Sequence, residues 1–251
     1  MTEPATLPSV VDEARRLLEA AESHEVGVRL IGGVAVYIRA GDDHHPALTR
    51  QYADIDLVTV KGKGREVAQF LEAQGYVGNV QFNAVNGASR LLFYDMPNRR
   101  QLDVFVGSFS MCHTIPLGNR ILAEHGTVPL AELLLTKLQV VQLNEKDLRD
   151  ILALVIHHDV AEGDGPTINA AWVARLLADD WGLWRTSKMN IERAREGVGG
   201  YDLDEAARAT ITDRLDRLWA RIEAEPKSRG WRLRDRIGDR KRWYEEPEEV
   251  G

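Results

Sequence analysis

LIGGVAVYIRAGDDHHPALTRQYADIDLVTV, residues 30–60, opens with a glycine pair and closes with two aspartates at the mouth of an apolar strand. VGVRLI, residues 26–31, reads as a short apolar strand that runs directly into the pair Gly32-Gly33, and residues 34–39 continue with helical character. Residues 40–53 are polar and hold Gly41, Pro46 and the pair His44-His45, which predicts a loop. A second strand is predicted over residues 54–60, and it opens with two aspartates one residue apart.

In a strand, residues two apart share a face, so Asp54 and Asp56 are expected to project together while Ile55 and Leu57 point the other way. Two neighbouring carboxylates repel unless a cation lies between them, and hard divalent metals such as Mg²⁺ take oxygen ligands, commonly carboxylates plus substrate phosphates. A third carboxylate is expected from a neighbouring strand. Asp103 fits, because in QLDVFVG it interrupts an otherwise apolar run. Glycines between a strand and a helix expose backbone N–H groups that, with the helix N-terminus, cradle phosphate. Each piece alone has a plainer reading: a simple turn at Gly32-Gly33, a solvated strand end at Asp54 and Asp56, and an ion pair of Asp103 with Arg99 or Arg100.

Residues 9–23 carry apolar side chains at helical spacing, and residues 65–74 predict a helix ending at Gly75. Residues 77–85 and 89–94 read as two strands joined by Asn86-Gly87, a hairpin pair, and residues 101–106 read as a further strand. From Pro129 the pattern turns helical, with helices predicted over residues 130–143, 146–158, 169–180, 184–196 and 203–224. The expected class is therefore α+β: a mixed β-sheet flanked by helices, then a C-terminal helical domain. The expected divisions are a catalytic α/β domain over residues 1–125, a helical domain over residues 126–225, and a basic then acidic tail over residues 226–251.

The chain has 251 residues, 44% of them apolar, enough for a sizeable interior. The single cysteine, Cys112, excludes an internal disulfide framework. The first residues lack a basic segment followed by an apolar run, and no stretch approaches the roughly 20 apolar residues of a membrane span, so a cytoplasmic protein is expected. A net charge of -7 argues against a uniformly basic nucleic-acid binder, yet residues 227–242, KSRGWRLRDRIGDRKR, hold eight Lys/Arg against two Asp. Trp231 and Trp243, with basic neighbours, are candidates for base stacking, the alternative being a solvated tail that folds back on the acidic body, whereas Trp172, Trp181, Trp184 and Trp219 read as packing residues.

The ordered set LIGG (residues 30–33), RxxxDIDL (residues 50–57) and LDVF (residues 102–105) resembles the nucleotidyltransferase superfamily, the fold of DNA polymerase β and of antibiotic nucleotidyltransferases. PLAELLLTKLQVVQLNEKDLRDILAL, residues 129–154, looks like the helical motif of the AbiEii-type or MenT-type nucleotidyltransferase toxins. The resemblance spans residues 26–154. It implies that Gly32 and Gly33 contact the nucleotide triphosphate, that Asp54 and Asp56 bind Mg²⁺, and that Asp103 is the third ligand of a two-ion site and a candidate base. It further implies that Lys137 neutralises triphosphate charge, that Asp147 orients the lysine or the acceptor, and that Arg50 contacts phosphate.

The implied reaction moves NMP from an NTP to an acceptor, with RNA or tRNA first and a small hydroxylated molecule such as an aminoglycoside second. A toxin of this kind would have a cognate antitoxin partner. The alternative from another class is a member of the fold that binds nucleotide without turnover.

Overall fold

The computed structural model describes residues 5–246. It divides into two compact units: Met1–Arg39, Gln51–Phe109 and Ile115–Pro129 form the first, and Ala40–Arg50, Ser110–Thr114 and Leu130–Gly251 the second.

The first unit is a mixed sheet with helices. Helix α1 (Val10–Ser23) begins at Ser9, whose hydroxyl accepts from the Asp12 N–H, and it buries Ala14, Leu17 and Ala21 on one stripe. Strand β1 (Val28–Ile31) passes into α2 (Gly32–Arg39), which starts on the glycines themselves. Strand β2 (Ile55–Thr59), α3 (Gly64–Ala73), β3 (Val77–Gly78), α4 (Val80–Asn86), β4 (Arg90–Asp95) and β5 (Arg100–Val106) follow. The sheet order is β1-β2-β5-β4-β3, with β2 and β5 parallel and the other neighbours antiparallel. Ile55, Leu57, Leu102 and Val104 are fully buried, which anchors the two central strands against slippage in register.

The predicted hairpin around Asn86-Gly87 is absent. Residues 80–86 are helical instead, and two asparagines explain why. Asn79 caps the helix by accepting from the Phe82 N–H, and the Asn83 amide both donates to the Leu92 carbonyl (3.1 Å) and accepts from the Leu92 N–H (2.7 Å). A side chain thus satisfies the β4 backbone where a paired strand was expected.

The second unit is helical. Helix α5 (Leu130–Leu138) is buried at every position, so it forms the unit's centre. It stops five residues before the predicted end, because the Asn190 amide donates to the carbonyls of Leu138 (2.9 Å) and Val140 (2.7 Å) and draws the chain out of the helix. Helices α6 (Glu145–His157), α7 (Ala170–Asp179), α8 (Trp181–Gly197) and α9 (Glu205–Ala224) each start at an Asn or Asp cap. The expected loop at residues 40–53 contributes Ala40–Arg50 to this unit, with Leu48 buried in a short turn.

The basic segment is not a bare tail. Residues Arg229–Ile237 form α10, and Trp231 is buried with its ring edge-on to Trp184 at 5.0 Å. Trp243 donates to the Thr186 hydroxyl. Both rings pack within the protein, which overturns the base-stacking expectation for Trp231. Residues 247–251 of the expected acidic end lie outside the described residues. Among those described, no helix is long and apolar enough to cross a membrane.

Candidate active site

Five of the eight predicted site residues fall in the first unit: Gly32, Gly33, Asp54, Asp56 and Asp103. Their arrangement follows from the register of the sheet. Asp56 is paired with Asp103 across the parallel β2–β5 ladder, and Ile31, the last residue of β1, is paired with Asp56 on its other side. Residues opposite one another share a face, so both carboxylates arise side by side on one surface of the sheet. Asp54 lies one residue before β2 and is exposed, while Asp56 is half-buried and Asp103 only 4% exposed.

Gly32 is fixed by this arrangement. Its φ of 75° lies in the left-handed region, and a Cβ built there would stand 2.1 Å from Asp56 Oδ2. The Asp56 carboxylate therefore reaches onto the strand-to-helix turn, where only glycine leaves it room.

The partner of Asp103 is neither Arg99 nor Arg100. Arg90, on β4, donates Nε to Asp103 Oδ1 at 2.7 Å, and Gln101 donates Nε2 to Oδ2 at 2.8 Å. Arg100 is engaged elsewhere, with Asp95 and the carbonyls of Leu7 and Pro8. Both carboxylate oxygens of Asp103 are thus taken up by protein donors. Arg90 had no mark in the sequence beyond its position at the start of a strand.

The remaining three, Arg50, Lys137 and Asp147, lie in the second unit. Lys137, near the end of the buried helix α5, is 8% exposed and bridges two carboxylates of α6, Asp147 at 3.2 Å and Asp150 at 2.9 Å. Burial opposes the charge on the lysine, but the attraction of Asp150 and Asp147 outweighs it and raises the pKa above the ordinary lysine value. Asp147 sits in the first turn of α6, where its N–H is bonded to the Asn144 cap. Arg50 makes a two-point pair with Asp150, Nε to Oδ1 at 2.8 Å and Nη2 to Oδ2 at 2.7 Å.

Asp150 is the centre of this cluster and was missed in the sequence. It is 1% exposed and holds both Arg50 and Lys137. The spacing Asp147-x-x-Asp150 places both carboxylates on one face of a helix, a signal that was present in KDLRD.

The carboxylate oxygens of Asp56 and Asp103 are hard donors of the kind Mg²⁺ takes. Asp56, Asp103 and the adjoining Asp54 are the residues that could hold it. Among the described residues, however, no three His, Cys, Asp or Glu side chains are gathered at metal-binding distance. In the first unit the cation beside Asp103 is Arg90, on the β4 side of β5, whereas Asp56 lies on the β2 side.

No protein-family profile matches the chain, and no curated protein matches it. Among solved structures it is similar to the antibiotic-resistance factor ANT(2'')-Ia, with 14% identity and a TM-score of 0.39 over 57% of this chain and 81% of that one. It is also similar to an antigenic nucleotidyltransferase-like protein from Paracoccidioides brasiliensis, with 14% identity and a TM-score of 0.42 over 90% of this chain and 97% of that one.

Proposed function

We propose that the chain is a Mg²⁺-dependent nucleotidyltransferase that moves NMP from an NTP to an acceptor, RNA or tRNA in the first instance, in the manner of the AbiEii/MenT-type toxins. The observation that carries this reading is the in-register pairing of Asp56 with Asp103 on adjacent parallel strands, with Asp56 Oδ2 laid against the Gly32 turn.

In the proposed reaction an acceptor oxygen forms a bond to the α-phosphorus, the bond from that phosphorus to the bridging oxygen breaks, and pyrophosphate leaves with the electron pair. Bound Mg²⁺ would neutralise charge on the triphosphate and orient it. Asp54, Asp56 and Asp103 would hold the metal. The glycine turn at the start of α2 would receive phosphate oxygens on its backbone N–H groups. Asp103 would take the acceptor proton once its carboxylate is released from its present donors. Lys137, kept cationic by Asp147 and Asp150, is suited to phosphate, and Asp150 holds Arg50 in a fixed orientation.

The test is incubation with each α-labelled NTP, Mg²⁺ and either total RNA or an aminoglycoside, beside the Asp54→Ala/Asp56→Ala variant. Label in RNA only with intact aspartates is the expected result. Label in the aminoglycoside would move the acceptor to the small-molecule class. A second reading, nucleotide binding without turnover, is favoured by one observation, the Arg90–Asp103 pair, and it predicts bound NTP with no label transferred to either acceptor.

A further inference from the structure

Arg90 is the feature of the carboxylate face that the proposed chemistry does not use. Its side chain is 18% exposed and that of Asp103 5%, so the pair is largely withdrawn from water, where a charge–charge contact is screened less than at the surface. The guanidinium is further seated against two rings, with Cζ 5.3 Å from the Phe105 centroid and 5.8 Å from that of Phe82. Phe82 belongs to α4, the helix that stands where a strand was predicted. Gln101 holds the second oxygen of Asp103, so the carboxylate's orientation does not depend on Arg90 alone.

We propose that Arg90 is the built-in counter-ion of Asp103: it holds this carboxylate until a divalent cation takes its place, so that metal binding and the Arg90–Asp103 pair oppose one another. The inference rests on the reading of Asp56 and Asp103 as metal ligands. Two cations drawn to one carboxylate repel, and with Asp103 paired the face offers a metal one negative charge fewer. The rings of Phe105 and Phe82 give the released guanidinium a place to remain.

The experiment is a Mn²⁺ titration followed by the loss of the free-ion electron paramagnetic resonance signal, with no nucleotide present. The wild type is compared with Arg90→Gln, which keeps a donor but loses the charge, with Arg90→Lys, which keeps the charge, and with Asp56→Asn. The expected result is Mn²⁺ bound about tenfold more tightly by Arg90→Gln, since a unit charge close to the ion is removed, with Arg90→Lys near the wild type. Equal or weaker binding by Arg90→Gln, with binding still abolished in Asp56→Asn, overturns the inference and leaves the proposed function standing. No Asp56-dependent binding in either the wild type or Arg90→Gln overturns the inference, and it overturns the proposed function as well when it persists with NTP present.

A second measurement covers a failure of Arg90→Gln to fold. In the ¹⁵N-labelled wild type, the Arg90 Nε–H signal, assigned by its loss in Arg90→Lys, is expected to shift as Mg²⁺ is added. A signal unmoved at saturating metal overturns the inference.

Discussion

At Gly32 two independent demands meet in one residue: a left-handed backbone and a space already occupied by the Asp56 carboxylate. Gly32→Ala imposes a conformation that costs about 1–2 kcal/mol for an L-residue and in addition displaces Asp56. The expected outcome is a loss of at least that stability in urea unfolding, together with loss of Asp56-dependent Mn²⁺ binding. A variant with wild-type stability and metal affinity would contradict the geometry at this turn.

Lys137 poses the complementary case of a buried charge. Removing Asp150 leaves both Lys137 and Arg50 short of a partner, and Asp150→Ala is expected to destabilise the protein by about 3–5 kcal/mol. The pH dependence has a definite sign. Because the folded-state pKa of Lys137 is raised above the unfolded value, the stabilising contribution is complete below about pH 10.4, the ordinary lysine value, and is lost as pH rises through the higher folded value. Urea unfolding between pH 8 and 11 would show this decline in the wild type and a smaller one in Lys137→Met.

At the level of elements, α4 separates what the sequence disclosed from what it hid. Asn86-Gly87 between two apolar runs favoured a hairpin on local grounds, and that signal lost to Asn79 and Asn83, whose side chains act on backbone groups that no periodicity reveals. The prediction for Asn83→Ala is a loss of about 1–3 kcal/mol, since the Leu92 N–H loses its partner while the Leu92 carbonyl keeps only the Asn79 N–H. Thermal melting checks it, and an unchanged midpoint would mean that water serves Leu92 equally well.

Other elements were more open to reading. The strand, glycine, helix order around Gly32 and the helices capped by Asn or Asp carried their signals locally. Asp103 stood out as a polar residue in an apolar run, whereas its pairing with Arg90 depends on the β4–β5 register and had no local mark. The early end of α5 is of the same kind, set by Asn190 from another helix.

The α8 region also contains a titrating contact. His113 shares its Nε2 with the Thr186 hydroxyl at 2.9 Å, and Thr186 accepts from Trp243. Burial lowers the His113 pKa, opposed by Asp180. A lowered histidine pKa means that the unfolded chain binds more protons, so this contribution is present above about pH 6.5 and is lost as pH falls toward the folded value. His113→Gln is expected to flatten the acid side of the stability curve between pH 7 and 5.

For the molecule as a whole, the candidate chemistry is distributed over two units, with the carboxylates and glycine turn on the sheet and the Lys137 cluster among the helices. A net charge of -7 makes cations at these positions matter more, because a polyphosphate approaches such a chain only where positive charge or metal offsets the repulsion. The central claim is that Asp56 and Asp103 act together in breaking the α–β phosphoanhydride bond. The most direct measurement is the rate of pyrophosphate release from each NTP with Mg²⁺ and total RNA, in the wild type, Asp56→Asn and Asp103→Asn. Release in the wild type and a fall of about 10²-fold or more in each variant are expected. Release at an undiminished rate in either variant, or none from the wild type with any NTP, would contradict the claim.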